Sequence, residues 1–248
     1  MNGNDRFLQL FWGLVAVAVG FVLTGLLVSG ALRAIKRAND NITVTGSARR
    51  TVRSDYVEWN GNYAVNDMSM QHGYETITRN QQRIRQWLNS RRISDSLIVF
   101  SGVHTRDMTR SKRNAQGEYV EEFIGYQLTQ SFQVHSTQVD SIEAIARDIS
   151  QLTAESLPVN SDPPQFYFTA LAPMRMEMLS EATKDARTRA EQIAGSAGGR
   201  VRSLRNARQG VFQVTAPNSR EVRDYGIYDT STIEKDITAV VSVTFSVN

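Results

Sequence analysis

Residues 181–194, EATKDARTRAEQIA, continued by GSAGGR at 195–200, and the closing run 237–247, ITAVVSVTFSV, decide how this chain folds. In the first stretch Ala182, Ala186 and Ala190 recur every fourth residue, with Leu179 and Ile193 completing the stripe and Ala194 beside it. Glu181, Lys184, Asp185, Arg187 and Arg189 fall elsewhere on the turn. This spacing predicts a helix with one narrow apolar face, opened by Pro173 in its first turn and stopped by Gly195, Gly198 and Gly199. Alanine side chains let such a helix approach a sheet closely. Asp185 and Arg189 stand at i, i+4 spacing, a pair worth about 0.2–0.5 kcal/mol. In the closing run Ile237, Ala239, Val241, Val243 and Phe245 alternate with the intervening residues, the pattern of a strand with one buried face.

Working outward from these two elements, strand and helix patterns alternate from Asn41 onward with no low-complexity tract. Ile42, Val44, Thr51, Val52, Tyr56, Val57 and Trp59 make β-rich runs around Gly46. Tyr74, Ile77, Gln81, Ile84 and Leu88 repeat at helical spacing over residues 68–91. Leu97, Val99 and Val103 read as a strand, the polar tract Thr105 to Gly117 as an exposed loop, and Tyr119 to Gln133 as strand again. Ile142, Ile145, Ala146, Ile149 and Leu152 mark a second helix. A turn at Asp162, Pro163 and Pro164 leads to the short strand Gln165 to Thr169. After the alanine helix come strands at Val201–Leu204 and Val211–Val214, and a polar loop over 217–232. The expected class is α+β: antiparallel sheet with packed helices, in two plait-like halves, forming one compact domain over 41–248.

The 248 residues are 41% hydrophobic and 21% charged, enough to bury a core and too apolar for a disordered chain. Lys plus Arg number 28 against 25 Asp plus Glu, a net charge of +3, so no nucleic-acid partner is expected. The absence of cysteine excludes disulfides, thiolate metal sites and a cysteine nucleophile.

No charged residue occurs from Phe7 to Leu32, and residues 10–32 are 23 in number, with only Thr24 and Ser29 bearing hydroxyls. At about 1.5 Å per residue this run spans a hydrocarbon core of about 30 Å. A cleaved signal peptide is the alternative, given Ser29 and Ala31, but the apolar run exceeds an ordinary signal core, and an uncleaved membrane anchor is expected. The chain then divides into a tail (1–9), the anchor (10–32), a juxtamembrane linker (33–40) and the domain (41–248). Arg6 precedes the anchor, whereas Arg33, Lys36, Arg37, Arg49, Arg50 and Arg53 follow it. That count favours a cytoplasmic domain, although long domains translocate despite flanking charge.

The helix Glu181 to Ala194 with Gly198, Gly199 and the strand Val201–Leu204 resembles the signature of the SIMPL-domain family, bacterial envelope proteins of unknown function often described as periplasmic or oxidative-stress-defence proteins. Ile42, Val44, Gly46 and Ala48, with Val52 and Asp55, resemble that family's first strand, and Ile237 to Val247 its last. The resemblance implies an α+β extracytoplasmic domain on the periplasmic side that self-associates, with a stress-related role. It carries over no catalytic residue.

No motif in the residues specifies a reaction. His72, His104 and His135 are separated by 32 and 31 positions, without metal-ligand spacing, and no metal or cofactor is expected. No serine lies in a G-x-S-x-G elbow. The glycines at 195–199 follow a helix rather than precede one, so they end it and do not cradle phosphate. Glu118, Glu121 and Glu122 read as a solvated strand and loop. Arg79, Arg83, Arg85, Arg91 and Arg92, with Trp87 among them, form a basic helix face that is a candidate for contact with an anionic surface. The closing strand, if it lies at a sheet edge, makes Ile237, Val241, Val243 and Phe245 candidates for self-association. The leading expectation is a non-catalytic, membrane-anchored homo-oligomeric scaffold of the envelope. The alternatives are a cytoplasmic-facing adaptor that uses the basic helix on acidic lipid or protein, and an enzyme whose groups, His104 or His135 among them, converge from distant segments.

Overall fold

The computed structural model describes residues 12–14, 17–29 and 40–248. The expected tail at 1–9, most of the linker at 33–40 with Arg33, Lys36 and Arg37, and both ends of the 10–32 segment lie outside the described residues. Helix α1, Trp12–Ser29, is long and apolar enough to cross a membrane.

Among the described residues eleven strands and four further α-helices follow: β1 (Asn41–Arg53), β2 (Tyr56–Asp67), α2 (Met70–Ser90), β3 (Ile98–Phe100), β4 (His104–Arg113), β5 (Tyr119–Ser136), α3 (Val139–Asp148), α4 (Ser150–Ala154), β6 (Val159–Ser161), β7 (Gln165–Tyr167), α5 (Leu171–Ser196), β8 (Val201–Gln209), β9 (Gln213–Thr215), β10 (Ile227–Tyr228) and β11 (Glu234–Val247). The α+β class stands as expected. The chain divides into two compact units, one holding β1 as far as Ala48 with Met176–Val211 and Thr238–Asn248, the other Arg49–Arg175 with Phe212–Ile237.

In the first unit α5 lies on β1 through its alanines. Met178, Ala182, Ala186, Ala190 and Ala194 are buried, and on β1 Val44, Gly46 and Ala48 alternate with exposed neighbours. Ile193, expected in the stripe, is 54% exposed, because the buried face follows the four-residue repeat on to Ala194. The backbone N–H of Ser47 donates to Asp185 Oδ2 at 2.8 Å, and Arg189 Nε donates to the same oxygen at 2.8 Å. The Ser47 N–H first, and Arg189 with it, hold the Asp185 carboxyl below the usual carboxylate range against the opposing effect of its partial burial.

The alternation expected of β11 is present, with Ile237, Ala239, Val241, Val243 and Phe245 all buried. Its position differs from expectation, since β11 pairs with β1 and also, antiparallel, with β8 from Val241↔Gln209 to Val247↔Val201. A strand paired along both sides presents no edge.

The second unit holds a six-stranded sheet ordered β3-β5-β2-β6, with β4 on β5 and β7 on β2. Eleven register pairs join β2 and β5, from Val57↔Ser136 to Asp67↔Tyr126. Trp59, Tyr63, Leu128, Phe132 and Val134 turn inward and meet Ile77, Ile84 and Leu88 of α2 and Ile142 and Ile145 of α3 in one core. Gly73 takes the buried place expected of Tyr74; a Cβ there would stand 2.6 Å from Leu128 Cδ1. The second expected helix is two, α3 and α4. The tract expected as a loop from Thr105 is strand β4, which pairs with β5 from His104↔Thr129 to Arg113↔Tyr119. Nearly all of it is exposed on both faces, so no apolar alternation marks it in sequence.

Candidate functional site

Strand alternation in β2 sends Val57 and Trp59 into the core and leaves Tyr56 and Glu58 on the opposite face. Register sets Glu58 between His135 of β5 and Gln165 of β7, and Tyr56 beside Tyr167. Tyr56 Oη is 2.9 Å from His135 Nδ1, and Glu58 Oε1 is 3.7 Å from that nitrogen. Tyr167 donates to Gln165 Oε1 at 2.7 Å, and its ring lies 6.3 Å from Tyr56 and 6.2 Å from Tyr228. Burial first, then the Glu58 carboxylate, raise the Tyr167 phenol, which stays protonated as a donor. The same face carries Asn60 opposite Gln133 and Asn62 between Ser131 and Asn160. The result is an open half-buried row of one imidazole, one carboxylate, phenols and amides, equipped to donate and accept hydrogen bonds to a polar ligand.

His135 is the histidine that joins a carboxylate on this face. His104 lies on β4 opposite Thr129, and His72 pairs with Asp67, its Nδ1 2.5 Å from Oδ2. Among the described residues no group of three His, Asp or Glu side chains could hold a metal ion.

Past Asp67↔Tyr126, where β2 ends, β4 and β5 continue as a two-stranded arm. A bulge after Met108, opposite Gly125 at φ +130°, sets the arm's direction; a Cβ on Gly125 would stand 2.8 Å from the Asp67 carbonyl oxygen. Arg110 and Lys112 both reach Glu122, at 3.4 and 3.3 Å. Lys112 first, then Arg110, hold the Glu122 carboxyl below its ordinary range. Tyr119 is 77% exposed and Phe123 43% exposed. The arm carries Arg110, Lys112 and Arg113 on one strand, and Glu121 and Glu122 on the other with Glu118 in the turn before it.

The basic helix face expected on α2 is largely engaged within its own unit. Arg83 Nη2 reaches Glu155 Oε2 at 3.4 Å and the Glu155 carbonyl at 3.0 Å. Arg85 pairs with Asp95 at 3.5 Å and lies over Phe100, and Arg91 stacks 3.6 Å above Trp87 while donating to Gln151. Arg79 and Arg92 remain exposed, the latter at φ +68° just past the end of α2. Three of the five arginines are thus held by partners within the chain, and two face solvent. Ile237, Val241, Val243 and Phe245, the self-association candidates, are at most 4% exposed within this chain and cannot meet a second copy without unfolding.

Two polar anchors escaped sequence reading, the first because its members lie far apart in the chain, the second because only the folded segment 229–235 buries its lysine. Asp236 accepts from Arg49, from Thr51 Oγ1 at 2.6 Å and from the Asn218 N–H at 3.0 Å. The Lys235 side chain is fully buried, and its Nζ donates to the carbonyls of Asp229 and Thr232 at 2.6 and 2.7 Å and reaches Asp229 Oδ2 at 3.3 Å. Both support the segment 213–236 rather than face a ligand.

A two-unit α+β chain with an alanine-lined helix on its first strand and an open polar sheet face defines the class. The model of the SIMPL family, described as a protein of unknown function (DUF541), matches residues 42–245, and the chain belongs to that family. No curated protein sequence matches it. Among solved structures, a de novo designed protein, Foldit4, aligns with 43% of this chain and 93% of its own, at 19% identity and a TM-score of 0.18, too low to bear on the fold.

Proposed function

We propose that this SIMPL-family protein is a non-catalytic, membrane-anchored assembly module of the cell envelope, with a stress-related role. Residues 10–32 hold it in the membrane, and 41–248 lie on the extracytoplasmic side, where copies associate through the β4–β5 arm. The observation that carries this reading is the exposure of Tyr119 and Phe123 on an arm whose β4 strand is cationic and whose facing segment 118–122 is anionic. A two-fold axis parallel to the strands would set the basic strand of each copy over the acidic strand of the other and cover both aromatic pairs. Such isologous contacts close into discrete oligomers. Apolar side chains exposed on a projecting edge hairpin are otherwise an aggregation hazard.

The test is light scattering of the full chain, purified in detergent at micromolar concentration. A discrete oligomer that Tyr119→Asp with Phe123→Asp reduces to monomer supports the reading, and a monomeric parent chain overturns it. Protease digestion of a tag placed after Asn248 in intact spheroplasts tests the side of the membrane. Digestion is the expected outcome, whereas protection until lysis assigns the domain to the cytoplasm.

A further inference from the structure

Strand β8 is exposed along almost its whole length and carries Arg202, Arg205 and Arg208, with Arg200 just before it. No Asp or Glu occurs between Glu191 and Glu221 to neutralise them. Among the described residues none of these four arginines forms an ion pair, unlike Arg187 and Arg189 on α5, which are paired with Glu191 and Asp185. The β8–β11 register slips twice. Asn206 faces Thr244 while Leu204 faces Phe245, which makes Arg205 an extra residue; between Leu204↔Phe245 and Val201↔Val247, Arg202 and Ser203 stand against Ser246 alone. Bulges turn side chains out of the ladder's regular alternation. Here both fall at arginines that line one cleft of about 500 Å³, together with Asp40, Ser246, Val247 and Asn248. Leu204, between the two arginines in sequence, is 55% exposed.

We propose that the Arg202–Arg205 cleft of β8 binds the phosphodiester headgroup of an anionic phospholipid and thereby docks the first unit on the bilayer that holds its own anchor. Guanidinium groups match phosphate oxygens in paired hydrogen bonds, and Arg202 and Arg205, neither of them held in an ion pair among the described residues, stand beside a single acidic side chain, Asp40. Asp40 also fixes the reach. It stands eleven residues after Ser29, the last described residue of α1, and a chain of that length extends at most about 36–40 Å. The cleft is thus tethered within reach of the headgroup layer, where basic groups are attracted to anionic lipid. The inference rests on the membrane anchor proposed above.

The chain has no cysteine, so Asn206→Cys on exposed β8 gives a single labelling site in the full-length protein. The labelled chain is reconstituted in phosphatidylcholine vesicles with and without phosphatidylglycerol, and its quenching by a headgroup-borne quencher is read after alkaline extraction. Quenching enhanced roughly threefold by the anionic lipid, and lost in Arg202→Gln with Arg205→Gln at an unchanged thermal midpoint, is the expected result. Equal quenching in both vesicles, with the protein resistant to extraction, overturns the headgroup site and leaves the anchor standing. Extraction of the protein by alkali overturns the anchor and this inference with it. If inorganic phosphate in phosphatidylcholine vesicles protects the label as fully as the anionic lipid changes it, the cleft serves a soluble phosphate and membrane docking is overturned.

Discussion

A Cβ built on Gly46 of β1 would lie 2.7 Å from the Cβ of Ala186 on α5. It would also lie 2.1 Å from the Ala182 carbonyl oxygen and 2.4 Å from the Ala186 nitrogen, and these are backbone atoms that no rotamer change can move. The helix rests on the strand with nothing between them but hydrogen and one methyl group, which is why glycine on one element and alanine on the other occur together.

Gly46→Ala should therefore lower the stability of the chain by at least about 1–3 kcal/mol, as overpacking does in a filled core. Ala186→Leu should do the same from the helix side. Urea midpoints measure both, and a change below about 0.5 kcal/mol in either, the ordinary range of a surface substitution, would show that α5 does not lie against β1 in this way.

Phe245 and Val243 distinguish a core strand from an association strand. Phe245→Ala should cost about 3–5 kcal/mol through lost burial and the cavity left behind. Its oligomer size should stay that of the parent chain wherever the protein remains folded. Dissociation without a fall in thermal midpoint would restore β11 as an interface.

On the arm, opposite charge can be exchanged rather than removed. Arg113→Glu alone should weaken self-association, and combining it with Glu121→Arg should restore much of the loss. Both residues are exposed, so the thermal midpoint should shift little. Sedimentation velocity at two salt concentrations measures this, with the parent oligomer loosening at the higher salt as screened charge pairs do.

Asp229 makes stability acid-dependent. Burial raises its carboxyl, but hydrogen bonds from Thr232 and Ser231 and the Lys235 ammonium outweigh it, lowering the pKa from an ordinary 3.8 to about 2. Because the folded value lies below the unfolded one, the stabilisation is complete above about pH 4 and is lost as pH falls from there towards 2. Asp185, Asp236 and Glu122, also lowered, act in the same direction. Asp229→Asn should flatten part of this acid limb and destabilise the protein at neutral pH, since Lys235 loses the anion beside its fully buried side chain. Denaturant midpoints from neutral to acidic pH read both effects.

Among the helix arginines, Arg91→Ala should lose about 0.5–1 kcal/mol with its stacking on Trp87, whereas Arg79→Ala should change stability by less than about 0.5 kcal/mol. Thermal denaturation of the two variants checks the difference.

The sequence by itself determined the elements whose evidence is periodic. The alanines of α5, the alternation of β11 and the Ile77–Leu88 stripe of α2 are legible because a helix or strand with one buried face repeats its apolar residues at the period of its own geometry, whereas α1 is legible from the length of its apolar run. Tertiary structure decided what depends on partners distant in sequence. β4 reads as a loop because both its faces are in water, and only its pairing with β5 makes it a strand. β11 reads equally well as an edge or an inner strand, since alternation reports one buried face and says nothing of which backbones accept its hydrogen bonds; β1 and β8 settle it. The same holds for charge. Arg83 and Arg205 are alike as letters, yet one is held by Glu155, seventy-two positions away, and the other opens onto a cleft at a bulge. Whether a cation is free depends on three-dimensional distance, because electrostatic pairing acts over a few ångströms of space and not along the chain.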